Sequence, residues 1–130
     1  MVESRITDGR RIAELLASEL DGREDGGLAS IAVTNADRDV EPTVDGSRAY
    51  DVQYDGDVVA QVFVHEERAR LEVTAAEDVA AETAADGELR VRPTATEPPR
   101  TLVFVESGAA VKRASDVVAA VARSLEARTD

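Results

Sequence analysis

The chain contains no cysteine and no tryptophan, and it has a single histidine and a single lysine. Without cysteine there can be no disulfide, no thiolate nucleophile and no cysteine-ligated zinc. With His65 as the only imidazole, no site that needs two histidines can form, and a lone histidine beside Glu66 and Glu67 is typical of a polar turn position. We therefore assign no catalytic residue, no metal site and no cofactor from the sequence.

Aromatic side chains and long apolar runs are also scarce. Phe63, Phe104, Tyr50 and Tyr54 are the only aromatic residues, so the core must consist mainly of valine and alanine. No apolar run reaches the roughly 18 residues that a membrane-spanning helix requires. The first residues lack the apolar stretch of a secretory signal. We expect one domain over residues 1–130, located in the cytoplasm and without membrane contact.

Positive charge is supplied almost entirely by arginine, and acidic residues dominate the charge balance. Lys112 is the only lysine among the 15 basic residues. The 27 acidic residues outnumber them and give a net charge of -12. This composition is typical of cytosolic proteins from halophilic cells, where a Debye length of about 3 Å at 1 M salt screens the self-repulsion. Disorder of the chain and an acidic surface for basic partners are alternatives. They fit less well, because 43% of the residues are apolar and the acids are scattered through every segment.

Apolar spacing predicts a helix near each end of the chain. Ile12, Leu15, Leu16 and Leu20 recur at helical spacing, with Asp8 or Ser4 as the N-cap and Asp21-Gly22 as the stop. The C-terminal helix carries a second apolar stripe and begins either near Val111 or at a Ser115-Asp116 cap. A shorter, alanine-rich helix is predicted over Glu77–Ala85. The apolar stripe of the C-terminal helix comprises Val111, Ala114, Val118, Val121 and Leu125.

Alternating apolar and polar residues predict a meander of three strands in the middle of the chain, over residues 50–54, 58–65 and 69–75. For the first turn we predict a three-residue Tyr54–Gly56 loop with a bulge that pairs Val52 with Val58. That register places Val58, Ala60, Val62 and Val64 together on the core face. The turn at Glu66-Glu67 pairs Val64 with Ala69.

Three further strand candidates flank the meander. They are Leu28–Val33, a strand around Leu89 and Val91 that stops at Pro93, and Leu102–Val105. The continuous apolar run of the last one predicts a central strand covered on both faces. The fold class is therefore α+β: a mostly antiparallel sheet of about five to six strands, with the N- and C-terminal helices packed on one face.

The outward face of the meander is the main candidate for function. The predicted register places Phe63 opposite Arg70, His65 opposite Arg68 and Val59 opposite Thr74. An exposed phenylalanine and valine beside arginines indicate a protein interface. The candidate interface residues are Phe63, Arg68, Arg70, Val59 and His65. Arg68 and Arg70, joined by Arg90 and Arg92, are the candidates for binding an anion. A solvated sheet face with cross-strand ion pairs is the alternative to both.

Other motifs give weaker signals. The loop with Asn35, Asp37, Asp39 and Glu41 resembles the start of a calcium loop, but it lacks the required glycine and the final glutamate. Glu106-Ser107-Gly108 is typical of an ordinary strand-to-helix turn as well as of an anion site.

We expect a non-catalytic domain that acts through protein contacts, with a second copy of the chain or another protein as the partner. The alternative is a small-molecule or anion-binding domain, or an enzyme, with a pocket between sheet and helices. The net charge makes nucleic acid an unfavourable ligand.

Overall fold

The computed structural model describes residues 8–22, 30–94 and 99–129, which contain three α-helices and six β-strands. The bounds are α1 Gly9–Gly22, β1 Ile31–Thr34, β2 Ser47–Tyr54, β3 Asp57–Val64, β4 Ala69–Val73, α2 Glu77–Asp86, β5 Arg90–Pro93, β6 Thr101–Val105 and α3 Val111–Thr129. A single 3₁₀ turn, Gly108–Ala110, precedes α3. No helix among these residues is long and apolar enough to cross a bilayer.

All six strands belong to one antiparallel sheet in the order β1-β2-β3-β4-β6-β5. The last two strands are exchanged relative to the chain order, because β6 lies between β4 and the edge strand β5. Helix α3 contacts both α1 and α2, and the helices pack on the face that carries the buried valines and leucines. The predicted α+β fold is thus confirmed, with both terminal helices present.

The core is a layer of small aliphatic side chains between this face and the helices. Val62, Leu71 and Val103 face each other across three strands and are fully buried. Tyr50 lies in the same row, and its hydroxyl donates a hydrogen bond to the Ala13 carbonyl of α1 at 2.8 Å. Burial, with a smaller contribution from the charge of Asp21, raises the pKa of Tyr50. The buried helix residues that complete the core are Ile12, Leu16, Leu20, Ala114, Val117, Val118, Val121 and Ala122.

The β2–β3 hairpin corrects the predicted register. Asp55 and Gly56 both have positive φ, of 50° and 90°, and close a two-residue turn in which Tyr54 pairs with Asp57. The three-residue loop and the pairing of Val52 with Val58 are therefore wrong. Val52 pairs with Ala60 instead, because a bulge inside β3 inserts one extra residue.

The position of that bulge decides which valine is buried. Val58 is 44% exposed, whereas Val59 is 4% exposed and belongs to the core cluster. The predictions of a core-facing Val58 and an outward-facing Val59 were both wrong. The bulge restores the alternation beyond it, so that Ala60, Val62 and Val64 are buried as predicted.

The β3–β4 hairpin confirms the sequence prediction. Val64 pairs with Ala69 and Val62 with Leu71, and on the other face Phe63 pairs with Arg70. The backbone N–H of His65 donates to the Arg68 carbonyl at 2.9 Å across the turn. The alternation of apolar residues fixes this register because a slip by one residue would expose every core side chain.

Two further strand and helix predictions need correction. On β6, Val103 and Val105 are buried but Leu102 and Phe104 are only half-buried, because the helices cover one face of the sheet. The expectation of a strand covered on both faces was wrong. The Ser115 cap was also wrong, since Ser115 lies inside α3 and donates to the Lys112 carbonyl at 2.7 Å.

The remaining helix and strand predictions agree with the structure where it describes them. Asp8 caps α1, because its Oδ1 accepts the Arg11 N–H at 3.2 Å, and α2 begins at Glu77 as predicted. The other predicted cap, Ser4, and the predicted start of the first strand at Leu28 lie outside the described residues. Within them, that strand begins at Ile31.

Candidate binding surface

The sheet face opposite the helices, which we call the open face, carries alternating arginine and phenylalanine residues. The strand registers join Arg48 to Phe63, Phe63 to Arg70, Arg70 to Phe104, and Phe104 to Arg90. These five residues form one continuous row across β2, β3, β4, β6 and β5, which we call the Arg–Phe row. Both phenylalanines of the chain therefore lie on the same surface, and each is half-buried.

Guanidinium groups cover the two phenylalanine rings. The Arg70 Cζ lies 4.6 Å from the centroid of Phe63. Phe104 has two such neighbours, Arg68 at 4.6 Å and Arg90 at 5.1 Å. Contacts of this kind contribute roughly 0.5–1 kcal/mol each at exposed sites, because the ring face attracts the cation. They place positive charge over both rings, which are half-buried on the open face.

A second row lies beside the first and centres on a buried carboxylate. Gln61, Glu72, Leu102 and Arg92 follow one another across β3, β4, β6 and β5. Glu72 is 8% exposed. Its Oε2 accepts hydrogen bonds from the Arg70 Nε and Nη2, both at 2.8 Å, and its Oε1 accepts one from the Arg100 Nη1 at 2.7 Å. Both carboxylate oxygens are thus satisfied by arginines.

Asp51 forms a similar cluster on β2. Its carboxylate accepts hydrogen bonds from Gln61 Nε2 and Asn35 Nδ2, both at 2.9 Å, and lies 3.4 Å from the Arg48 Nη1. Burial acts to raise the pKa of Asp51, but the hydrogen bonds from Gln61 and Asn35 and the charge of Arg48 outweigh it. The pKa is therefore lowered, and Asp51 and Arg48 form an ionised pair.

The arginines at the β5 end of the open face have fewer carboxylate partners than those of the rest of the face. Within the described residues, neither Arg68 nor Arg92 forms an ion pair with a carboxylate. Arg90 pairs with Glu106 at 3.0 Å, and both side chains are largely exposed. Arg68, Arg90 and Arg92 line a shallow depression of about 540 Å³ together with Phe104 and Val91. We call this region the β5–β6 half of the open face.

His65 lies at the end of β3 and holds the loop before β2. Its Nδ1 is 3.0 Å from the Val44 carbonyl oxygen, and its Nε2 is 3.0 Å from the Arg70 Nη1. Because arginine only donates, we assign the proton to Nδ1 and the acceptor role to Nε2. Burial lowers the pKa of His65, and the charges of Arg70 and Arg68 lower it further, although the hydrogen bond to Val44 acts in the opposite direction.

The fold is expected to become less stable as the pH falls below neutral, because of His65. Since the folded pKa lies below the ordinary value of 6.5, the unfolded chain binds more protons than the folded one in the interval between the two values. The free energy of unfolding should be insensitive to His65 above pH 6.5 and should decrease as the pH falls below it. Denaturant unfolding of the native chain and of His65→Gln at a series of pH values measures this. The variant should lack that part of the decrease, and an equal pH dependence in both chains would contradict the assignment.

Comparisons with known proteins identify the family of the chain. The model of a family of unknown function, DUF7993, matches residues 1–130. The chain belongs to this family. No curated protein and no solved structure gives a significant match.

In this DUF7993 member the structure separates the predicted site residues into two groups. Phe63, Arg68 and Arg70 lie on the open face as predicted, with Phe63 and Arg70 in contact. Val59 and His65 are both buried, so the prediction of an exposed interface position was wrong for each. Val59 is turned into the core by the bulge, and His65 is covered by the loop it holds.

The predicted anion-binding residues are also divided. Arg68, Arg90 and Arg92 converge around Phe104. Arg70 instead binds Glu72, His65 and the Asp45 carbonyl, so it does not belong with the other three.

The sequence prediction missed Phe104, Leu102, Arg48 and Arg100 as residues of this surface. Phe104 could have been found, because it alternates with Val103 and Val105 once one face of β6 is left open. Arg100 gave no signal, since it reaches Glu72 from beyond the end of the strand.

The acidic loop of residues 35–41 gives no support for a metal site in the family member described here. Among the described residues, no group of three or more histidine, cysteine, aspartate or glutamate side chains could hold a metal ion. Asp37 instead accepts the Asp39 N–H at 3.0 Å, and Asn35 supports Asp51. Asp37 thus stabilises a turn, and Asn35 holds a carboxylate of β2.

Proposed function

We propose that this domain is a non-catalytic binding module that contacts a protein partner through its open face. The observation that carries the proposal is the Arg–Phe row, which no described helix covers. Arginine and aromatic side chains are the residues most enriched at protein interfaces and at their energetic centres. In this chain both phenylalanines are placed together on the face that contributes nothing to the core.

The charges on the open face support binding rather than catalysis. Glu72 and Asp51 are its most buried carboxylates, and the oxygens of each accept hydrogen bonds from arginine or amide side chains. A general acid or base needs a pKa close to the working pH, and a nucleophile needs an adjacent base. The arrangement on this face instead fixes the arginine side chains, which favours recognition.

A protein partner is favoured over a nucleic acid. Aromatic rings and arginines on an open sheet also suit single-stranded nucleic acid. The net charge of -12 opposes such binding, because a nucleic acid carries a phosphate at every nucleotide and most of these phosphates would meet the acidic surface rather than the few arginines. The acidic composition is also the basis for placing the domain, as part of the proposal, in a cytoplasm with molar salt.

A pocket between sheet and helices is a less supported alternative. A depression of about 310 Å³ lies between α1 and the β1–β2 edge, lined among others by Ala13, Ala17 and Tyr50. Its walls are mainly apolar, and the Tyr50 hydroxyl is already used by the Ala13 carbonyl. Its charged lining residues, Glu14, Asp37 and Arg38, are of mixed sign, unlike the arginines of the open face.

Site-specific photo-crosslinking in the native cells tests the proposed function. A photoreactive residue at Leu102, on the open face, should give discrete protein adducts. The same residue at Asp78, which is exposed on α2 in the helical layer, is the matched control and should not give them. Adding Phe63→Asp to the Leu102 variant should remove the adducts by introducing charge into the row, while circular dichroism shows an intact fold.

The identity of the adducts decides the outcome. A partner protein cross-linked from position 102 alone supports the proposal. Adducts that are equal at positions 102 and 78, or that consist only of nucleic acid, would overturn it. Adducts between two copies of this chain would keep the open face as a protein interface and would be checked by sedimentation.

A further inference from the structure

We infer that the β5–β6 half of the open face is an acceptor site for the carboxylates of an extended, acidic segment of the partner protein. This inference rests on the proposed function and goes further by naming the chemistry and the place. Two features carry it: the division of charge across the face and the arrangement of the arginines around Phe104.

The charge on the open face is divided between two halves. Arg48 is paired with Asp51, and Arg70 and Arg100 share Glu72. Those three guanidinium groups have internal carboxylate partners. In the β5–β6 half, Arg68 and Arg92 have none among the described residues, and Arg90 has only the exposed Glu106. An incoming carboxylate therefore gains most in the β5–β6 half, where it replaces water rather than a buried ion pair.

The surroundings of Phe104 fix where such a carboxylate would bind. The contacts of Arg68 and Arg90 with the Phe104 ring hold their guanidinium groups in place. Arg92 reaches the same depression from β5. Planar guanidinium groups that are already held lose little conformational freedom when they bind a carboxylate through paired hydrogen bonds.

Charge favours a segment over a second folded copy. A copy that binds through the same half would bring Arg68 and Arg92 against the same arginines of its partner. A copy that binds through the other half would offer Arg48 and Arg70, whose carboxylate partners are already used. A flexible acidic segment supplies the complementary charge in either case.

Glu106 gives the inference a distinctive signature. Its carboxylate pairs with Arg90 at 3.0 Å and is partly exposed, so it occupies one of the groups that the ligand would use. A ligand carboxylate must compete with it. Removing the charge of Glu106 should therefore strengthen binding, whereas removing the charge of an arginine in this half should weaken it.

The test uses a fluorescently labelled poly-glutamate peptide, short enough to fit within the β5–β6 half, as the probe. The readout is the fluorescence anisotropy of this peptide as the full chain is added. In about 1 M salt, where a Debye length of about 3 Å screens the repulsion from the net charge of -12 but not a direct contact between a carboxylate and a guanidinium group, binding should be detectable. Arg68→Gln and Arg92→Gln should each weaken it about tenfold, the loss expected for one charge-assisted pair. Arg48→Gln, on the same face but paired internally, is the matched control and should change it less than about twofold. Glu106→Gln should tighten it.

Each outcome bears on the inference separately from the proposed function. If Arg48→Gln weakens binding as much as Arg92→Gln, the placement in the β5–β6 half is wrong, although the open face stays a binding surface. If poly-glutamate does not bind while Leu102 cross-links a partner protein, the acidic segment is wrong and the proposed function stands. Tighter binding of labelled oligothymidylate than of poly-glutamate would overturn both.

Discussion

Gly9→Ala is expected to destabilise the fold strongly, although it adds only one methyl group at the start of α1. A Cβ atom on Gly9 would overlap the carbonyl oxygen of His65 and would lie 2.6 Å from that of Arg68. Both contacts are with backbone atoms, which cannot rotate away as a side chain would. The Gly9 N–H also donates to the Glu66 carbonyl at 2.9 Å, so the helix start is held against this turn. The methyl group must therefore push α1 away from the β3–β4 hairpin.

We expect the free energy of unfolding of Gly9→Ala to fall by about 3 kcal/mol, the upper part of the range for inserting atoms into a packed site. For a domain of this size the melting temperature should fall by roughly 10 °C. Gly22→Ala at the other end of α1 is the control, because a Cβ there would meet no atom within 4 Å. That change should be neutral or stabilising by up to about 1 kcal/mol, since alanine favours a helix more than glycine does. Equal stability of the two variants would contradict the close contact at Gly9.

The sequence predicts most of the fold because its core is defined by alternation. Val62, Val64, Ala69 and Leu71 are apolar at every second position, so only one register of β3 and β4 buries all four. The helices are predicted by the same reasoning, with apolar residues that recur at every third or fourth position instead of every second. The fold class, the order of the strands along the chain and the exposure of Phe63 on the open face are consequences of these patterns.

The register prediction failed at the β2–β3 hairpin, where a difference of one residue in the length of the turn changes which side chains face the core. Asp55 adopts a positive φ, which allows a two-residue turn and moves the bulge to Val59. Aspartate is one of the few residues that tolerates this conformation at low cost, so the sequence is compatible with either turn. The choice between them decides which of two adjacent valines is buried.

The candidate site was harder to predict than the fold, because it depends on strands that are distant in the chain. The insertion of β6 between β4 and β5 brings Phe104 beside both Arg70 and Arg90. Nothing in the local sequence of β5 or β6 specifies that order. Similarly, Glu72 is one of many carboxylates in the sequence, and only the structure shows that Arg70 and Arg100 enclose it.

The second large effect concerns this carboxylate. Glu72→Gln should lower the free energy of unfolding by about 3 kcal/mol, the lower part of the range for removing one partner of a buried ion pair. The side chains of Glu72 and Arg70 are 11% and 15% exposed, so Arg70 would keep its charge in a poorly solvated place. The value is at the lower end because Arg100 is 38% exposed and can regain water. Denaturant unfolding measures the change.

Glu106→Gln is the matched control, because Glu106 also pairs with an arginine on the open face at a similar distance. Its side chain is 45% exposed and that of Arg90 62%, so the loss should be below about 1 kcal/mol. The difference between the two variants isolates the effect of burial from that of the ion pair itself. A Glu72→Gln variant as stable as Glu106→Gln would show that water reaches Arg70. In that case Arg70 could accept an external carboxylate, and the division of the open face into a neutralised half and a β5–β6 half would fail.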